Sequence, residues 1–254
     1  ELNIKYILSE KPLCSSVVEA ENLVNYLKNS NSNLAINHQM RYLPQYIRIK
    51  ELVNEDNFGG LNSIYVIGGN FGLAMNGSHY VEAFRYLTNT YTKSVTAELE
   101  TEKEFNPRGD IFKEATGIVN LKASNDKFMT INCSNKNYFG MNVTYVCKYG
   151  IINLDELSGR LYGSYRKKEF RNLPSYRYGM PADSIEEKIS SLELFESTSL
   201  LLEDLFSNRN YPDIHAAVNS VKTIIACYQS SRKDGLSVRI DELNKFDNEV
   251  FNWA

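Results

Sequence analysis

The chain has 254 residues with 28 basic and 31 acidic side chains; its net charge of −3 excludes a strongly basic nucleic-acid binder or an electrostatic attachment to anionic membrane. With 43% apolar and 23% charged residues it is too hydrophobic for a disordered chain and long enough to bury a sizeable core. No apolar run approaches the ~18–20 residues that span a bilayer, and the first residues lack the basic start and apolar stretch of a signal peptide, so the expected location is cytoplasmic.

In chain order, Ile4 to Leu8 reads as a buried strand ending in the loop Ser9-Glu10-Lys11-Pro12. Ser16 and Glu19 form a capping-box pattern ahead of Val17, Ala20, Leu23, Val24 and Leu27, which recur on one face of a helix. Leu34 to Asn37 is a second short strand, and Pro44 opens a helix through about Asn54. Residues 1–55 are therefore β-α-β-α, the terminal portion of an α/β layer.

From residue 56 the composition shifts to Val, Ile, Thr and Tyr in runs at about 61–67, 93–105, 115–123, 128–134, 142–148 and 160–171, separated by short turns. This predicts a largely antiparallel sheet over 56–254, an α+β unit with helices on one face. Helices are expected at about 79–88, from the capping pattern of Ser184 and Glu187 to Phe206, and from Pro212 onward; Leu236 to Ile240 reads as a last strand. The end, Asp241 to Ala254 with Phe246, Phe251 and Trp253, reads as a docking helix or a frayed tail. The four cysteines, at 14, 133, 147 and 227, are spaced for neither a redox pair nor a zinc knuckle and are expected reduced. His38 and His215 have no partners at metal spacing, so no metal is expected. The basic and aromatic stretch Arg160 to Arg171 reads as a strand with a solvated face rather than a nucleic-acid surface.

Two stretches carry chemistry. Ligands of open α/β sheets sit beyond the carboxyl ends of the strands, where Lys11 falls, so Lys11 is either a solvated loop lysine or an acid/base group facing a ligand. The glycine-rich run Gly68 to Gly77 leads into a helix with His79 at its start, where a neutral imidazole is favoured; a histidine there, taken alone, is more often a capping or packing residue.

Taken in order, Ile7-Leu-Ser-Glu-Lys-Pro-Leu13, Asn37-His-Gln-Met-Arg-Tyr42, Phe58-Gly-Gly-Leu-Asn-Ser-Ile64, Gly77-Ser-His-Tyr-Val-Glu82 with Arg85-Tyr-Leu87, and Ile225 to Arg232 before Leu236 to Val238 resemble the Gfo/Idh/MocA oxidoreductases. The resemblance implies NAD- or NADP-dependent hydride transfer on a sugar, sugar nucleotide or polyol. Lys11 and His79 match the catalytic pair around the reacting oxygen, and Glu10, Lys11 and Pro12 match the cofactor side. Arg41 and Tyr42 beyond the second strand, and Asn70, Asn76 and Tyr80 near the glycine loop, are the candidate substrate contacts. The resemblance also suggests a cis bond at Lys11-Pro12, against the trans default of an X-Pro bond. It implies a homodimer or homotetramer formed through the open face of the sheet.

Two departures stand out. The family commonly carries an acid four residues before the histidine, where this chain has Met75, so either Asn76 substitutes by hydrogen bonding or the site is altered. No GxGxxG phosphate-binding turn occurs, which leads to the expectation that the chain is the C-terminal part of such an enzyme, lacking most of the dinucleotide-binding domain and inactive alone. The alternative is a non-catalytic binding or assembly module of the same fold.

Overall fold

The computed structural model describes residues 3–100, 106, 108–137, 139–174, 179–243 and 249–253. Strand β1 (Tyr6–Ser9) and strand β2 (Asn33–Ile36) pair in parallel, Tyr6 opposite Asn33 and Ser9 opposite Ile36, and helix α1 (Val17–Lys28) makes the crossover. The cap of α1 is the one expected: Ser16 accepts from the Glu19 amide at 3.2 Å. The Glu19 carboxylate turns back to the amide and hydroxyl of Ser15, both at 3.0 Å. Helix α2 (Pro44–Asn54) starts at Pro44, where a missing N–H costs nothing.

Beyond α2 runs a nine-stranded sheet. Its strands are β3 (Leu61–Gly68), β4 (Thr92–Leu99), β5 (Gly117–Ala123), β6 (Phe128–Asn132), β7 (Met141–Cys147), β8 (Gly150–Asp155), β9 (Arg160–Arg166), β10 (Ala182–Lys188) and β11 (Val238–Arg239). The order is β10-β9-β8-β7-β3-β6-β5-β4-β11, and every neighbouring pair is antiparallel except β3 with β6. This is a mixed, mostly antiparallel sheet whose helices, α3 (Ser78–Thr88) and α5 (Ile214–Ser231) among them, lie on one face.

The alternation along β3 shows how the faces are sorted. Leu61, Ile64 and Val66 are buried, while Tyr65 and Ile67 are exposed. On the open face one row of paired positions, Thr96, Asn120, Thr130, Tyr65, Thr144, Asn153 and Tyr162, crosses the sheet. Thr130 donates to Asn120 and Thr144 to Asn153, each at 2.8 Å. The main core joins Val17, Ile49 and Leu52 of the first two helices to Ile64, Val119, Ile131 and Ile152 of the sheet.

The expected helix from Ser184 is corrected. Ser184 to Glu187 lie in β10, paired residue for residue with β9, and helix α4 (Leu194–Phe206) begins only after Glu193. The short capping pattern lost to backbone pairing with an otherwise open strand edge. Ile185 fills the space over Gly163, where a Cβ would stand 2.7 Å from the isoleucine Cγ1. Strand β8 was not foreseen, and the last strand is only Val238–Arg239.

Residues 101–105 of the run expected to reach 105, and Phe246, lie outside the described residues. The segment 249–253 is neither a helix nor a frayed end. Phe251 donates its amide to the Ser15 carbonyl at 2.9 Å, and the Trp253 indole donates to the Cys14 carbonyl at 3.2 Å. Among the described residues, no helix is long and apolar enough to cross a membrane.

Candidate functional site

Lys11 stands just past the end of β1, across a cis bond to Pro12. Its ammonium donates to the Met75 carbonyl. Burial pulls its pKa down, the Arg108 charge pulls the same way, and Glu10 and Glu114 oppose. Met75 sits in a π-helical turn, Gly72–Gly77, that runs straight into α3. Glu114 accepts from the Ala74 and Met75 amides at 2.9 and 3.2 Å, so a carboxylate from elsewhere in the chain braces the turn that carries Met75. Gly72 takes φ +72 there, with a would-be Cβ 2.9 Å from the Glu114 oxygen; only glycine suits both demands.

His79, on the first turn of α3, meets His38 edge-to-face with ring centroids 5.3 Å apart. The Nδ1 of each is buried with no hydrogen-bond partner. Burial and then the Lys11 charge push the His79 imidazole down to about 3. His38 is lowered well below its ordinary value by burial, then by His79, Lys11 and Arg85. Both rings are therefore neutral near pH 7. His38 lies just beyond β2 as Lys11 lies just beyond β1, so the strand-end rule that marks Lys11 also marks His38. Sequence reasoning weighed it only as a metal ligand.

A cleft of about 840 Å³ is lined by Glu10, Lys11, Asn37, Asn76, His79 and Arg108, with Leu194 and Phe195 of α4 at its side. A second, of about 970 Å³, lies on the other flank of Lys11 and Pro12, against Arg108, Phe112 and Trp253. A third, of about 380 Å³, holds Asn76, Tyr80, Gln45 and Glu156. Lys11, His79, Asn76 and Glu10 are thus brought together; Glu10 accepts from Asn37 at 2.8 Å, and Asn76 donates to the Phe71 carbonyl at 2.8 Å.

The other candidates sit elsewhere. Buried Arg41 pairs with Glu82 at 3.2 Å and donates to the Asn210 carbonyl at 3.0 Å. Tyr42 donates to Asp204 at 2.9 Å, and Asn70 is exposed beyond β3. None of the three lines these clefts. Arg108, Glu114, Gln45 and Glu156 carried no sequence signal; only tertiary contact places them here.

A dinucleotide needs a phosphate cradle, which folds of this kind build from glycine-rich turns and open helix N-termini. Here no glycine lies between β1 and α1 or between β2 and α2, and the start of α1 is filled by Ser16 and the Glu19 carboxylate. The described residues do not fit the pyrophosphate. Among them, no group of three or more His, Cys, Asp or Glu side chains could hold a metal ion.

No protein-family model matches the sequence, and no curated protein matches it. Solved structures do match. An oxidoreductase from Agrobacterium radiobacter, in complex with NAD+, L-tartaric acid and magnesium, is 14% identical with TM-score 0.73 over 93% of this chain and 73% of that one. An NAD binding oxidoreductase from Klebsiella pneumoniae is 13% identical with TM-score 0.72 over 93% and 74%. The transcriptional regulator Gal80p from Kluyveromyces lactis is 16% identical with TM-score 0.70 over 96% and 71%. At these identities the likeness shows the fold. It also overturns the expectation of a mere C-terminal remnant, because matches over 92–96% of the chain take in the Rossmann-like stretch from β1 to β3 along with the sheet.

Proposed function

We propose that this protein is an oxidoreductase that binds a small hydroxylated molecule, a sugar, sugar nucleotide or polyol, between Lys11 and His79. The observation that supports the reading is the meeting of these two side chains, from separate layers of the fold, in one cleft of about 840 Å³. A neutral His79 takes the proton of a bound hydroxyl. Lys11 spends one of its three N–H donors on Met75 and turns the others to the same oxygen, favouring the charge that develops there. NAD or NADP is the electron acceptor that the resemblance implies, with Glu10, Lys11 and Pro12 on its side of the cleft; no step is derived through it, since the described residues lack its phosphate cradle.

The test is turnover of a panel of polyols and sugars with NAD+ or NADP+, followed by nicotinamide absorbance. Lys11→Met and His79→Ala each lower kcat/KM by about 10²–10⁴-fold. Undiminished turnover in both variants removes the two roles.

Met75 in place of an acid, and the lack of a phosphate cradle among the described residues, favour a second reading: a binding module that keeps the fold without the chemistry. Titration with NADH and NADPH separates the two. Sub-millimolar binding supports the enzyme, and none at millimolar cofactor supports the module. For either reading we propose a homodimer or homotetramer through the open sheet face that shows Tyr65, Ile67, Phe128 and Tyr162. A monodisperse monomer in light scattering at micromolar protein would remove that assembly.

A further inference from the structure

The helical run that carries His79 begins at Gly72, and the first amides of a helix find no partner within it. Here a segment from just ahead of β5 takes them. The Leu73 amide donates to the Ala115 carbonyl at 2.8 Å, and the Ala74 and Met75 amides donate to a single carboxylate oxygen, Glu114 Oε2, at 2.9 and 3.2 Å. A negative group suits this position, because the aligned peptide dipoles leave partial positive charge at a helix start. The segment is itself held. Lys113 donates its amide to the Asn252 carbonyl at 2.6 Å, and the flanking Phe251 and Trp253 donate to the carbonyls of Ser15 and Cys14. Residues 113–115 are thereby tied to the helix of His79 and, through 251–253, to the loop that follows Lys11.

The carboxylate has a second effect. Lys11 donates to the carbonyl of Met75, the residue whose amide Glu114 holds. Burial and the Arg108 charge favour loss of the Lys11 proton, and the charges of Glu10 and Glu114 oppose that loss. Glu10 also accepts from the Asn37 side chain at 2.8 Å. His38 and His79, the buried imidazoles nearby, are neutral near pH 7 and bring no charge of their own. We propose that Glu114 is the positioning residue of this site: it fixes the turn that presents the Met75 carbonyl to Lys11 and leads into His79, and its charge offsets that of Arg108 at the Lys11 ammonium. The assignment rests on the reading of Lys11 and His79 as the working pair.

The experiment reads the full chain by NMR. Lys11 is followed through the signal of its labelled ε-carbon, assigned with Lys11→Arg, and Ala74 and Met75 through amide hydrogen exchange. Glu114→Gln keeps an oxygen for the two amides and loses the charge, so both amides stay protected to within about tenfold while the Lys11 titration midpoint falls by about half a unit. Glu114→Ala loses the oxygen as well, and exchange at Ala74 and Met75 rises at least about tenfold. Arg108→Gln moves the Lys11 midpoint the other way, upward. A brace without an electrostatic part would leave Lys11 unmoved in Glu114→Gln. Should Glu114→Ala fail to fold, Glu114→Gln and Arg108→Gln decide. The role is overturned by a Lys11 midpoint that is the same in the wild type and Glu114→Gln, or by wild-type Ala74 and Met75 amides that exchange as fast as in an unfolded chain. Where turnover is found, the basic limb of its pH profile moves down with Lys11 in Glu114→Gln. Turnover absent from the wild type with Lys11 following Glu114 defeats the oxidoreductase reading alone. Turnover lost in Lys11→Met with Lys11 indifferent to Glu114 defeats the positioning role alone.

Discussion

The cleft at Lys11 and its neighbour at Glu156, which share Met40, Leu43 and Asn76 as lining, bury groups of opposite charge type and reach the same result. At the β1 end, burial lowers the pKa of Lys11, His38 and His79, all of them bases. At the β8 end, burial raises that of Glu156, an acid just past β8, although the hydroxyls of Tyr46 and Tyr80, which donate to it, pull it down. Desolvation is the largest cause at each of these four groups and disfavours the charged form of each.

Acid titration of stability is the strongest way to break this comparison. Between about pH 3 and 6.5 the unfolded chain protonates its histidines while folded His79 stays neutral, so stability is lost as pH falls through that window. The slope is roughly 1.4 kcal/mol per pH unit for each histidine, and His38 adds to it in the same direction. Glu156 acts oppositely. Its folded pKa lies above 4.5, so its contribution is present below that value and is lost as pH rises through the raised one. Denaturant melts at pH 4, 5, 6 and 7 should therefore show His79→Ala flattening the slope and Glu156→Gln steepening it. Equal slopes in both variants would mean that neither end is desolvated as described.

A smaller effect sharpens the β1 end. Gly72→Ala forces a side chain into the left-handed region against Glu114, at a cost of about 1–3 kcal/mol read as a lower Tm. The smallest effect belongs to the β8 end: Tyr80→Phe removes one donor from Glu156 and costs about 1 kcal/mol, measured the same way.

Local signals in the sequence served well where the chain's own neighbours decide the outcome. Ser16 caps α1, Pro44 starts α2, and Asp213 caps the helix expected after Pro212, all with partners three or four residues away or none at all. The strand-end rule and the glycine loop singled out Lys11 and His79, and both line one cleft. What escaped was settled by distant contacts: Tyr46 and Glu156 stand 110 residues apart, and Glu114 reaches Ala74 across 40. Strand β10 escaped for the same reason, because its seven residues of mostly exposed, acidic chain take their conformation from the edge of β9. Arg41 and Tyr42 were correctly placed beyond a strand, but their partners Glu82 and Asp204 turn them into the packing, which spacing alone does not reveal.

Trp253 is the only tryptophan in the chain, and it lines the space beside Lys11, Arg108 and Phe112. Its indole is tied to the Cys14 carbonyl and stacked on Phe251 at 5.0 Å. Excitation at the red edge of protein absorbance thus addresses a single emitter at a known address. The molecule carries its own optical gauge of whatever enters next to Lys11, with no label to attach.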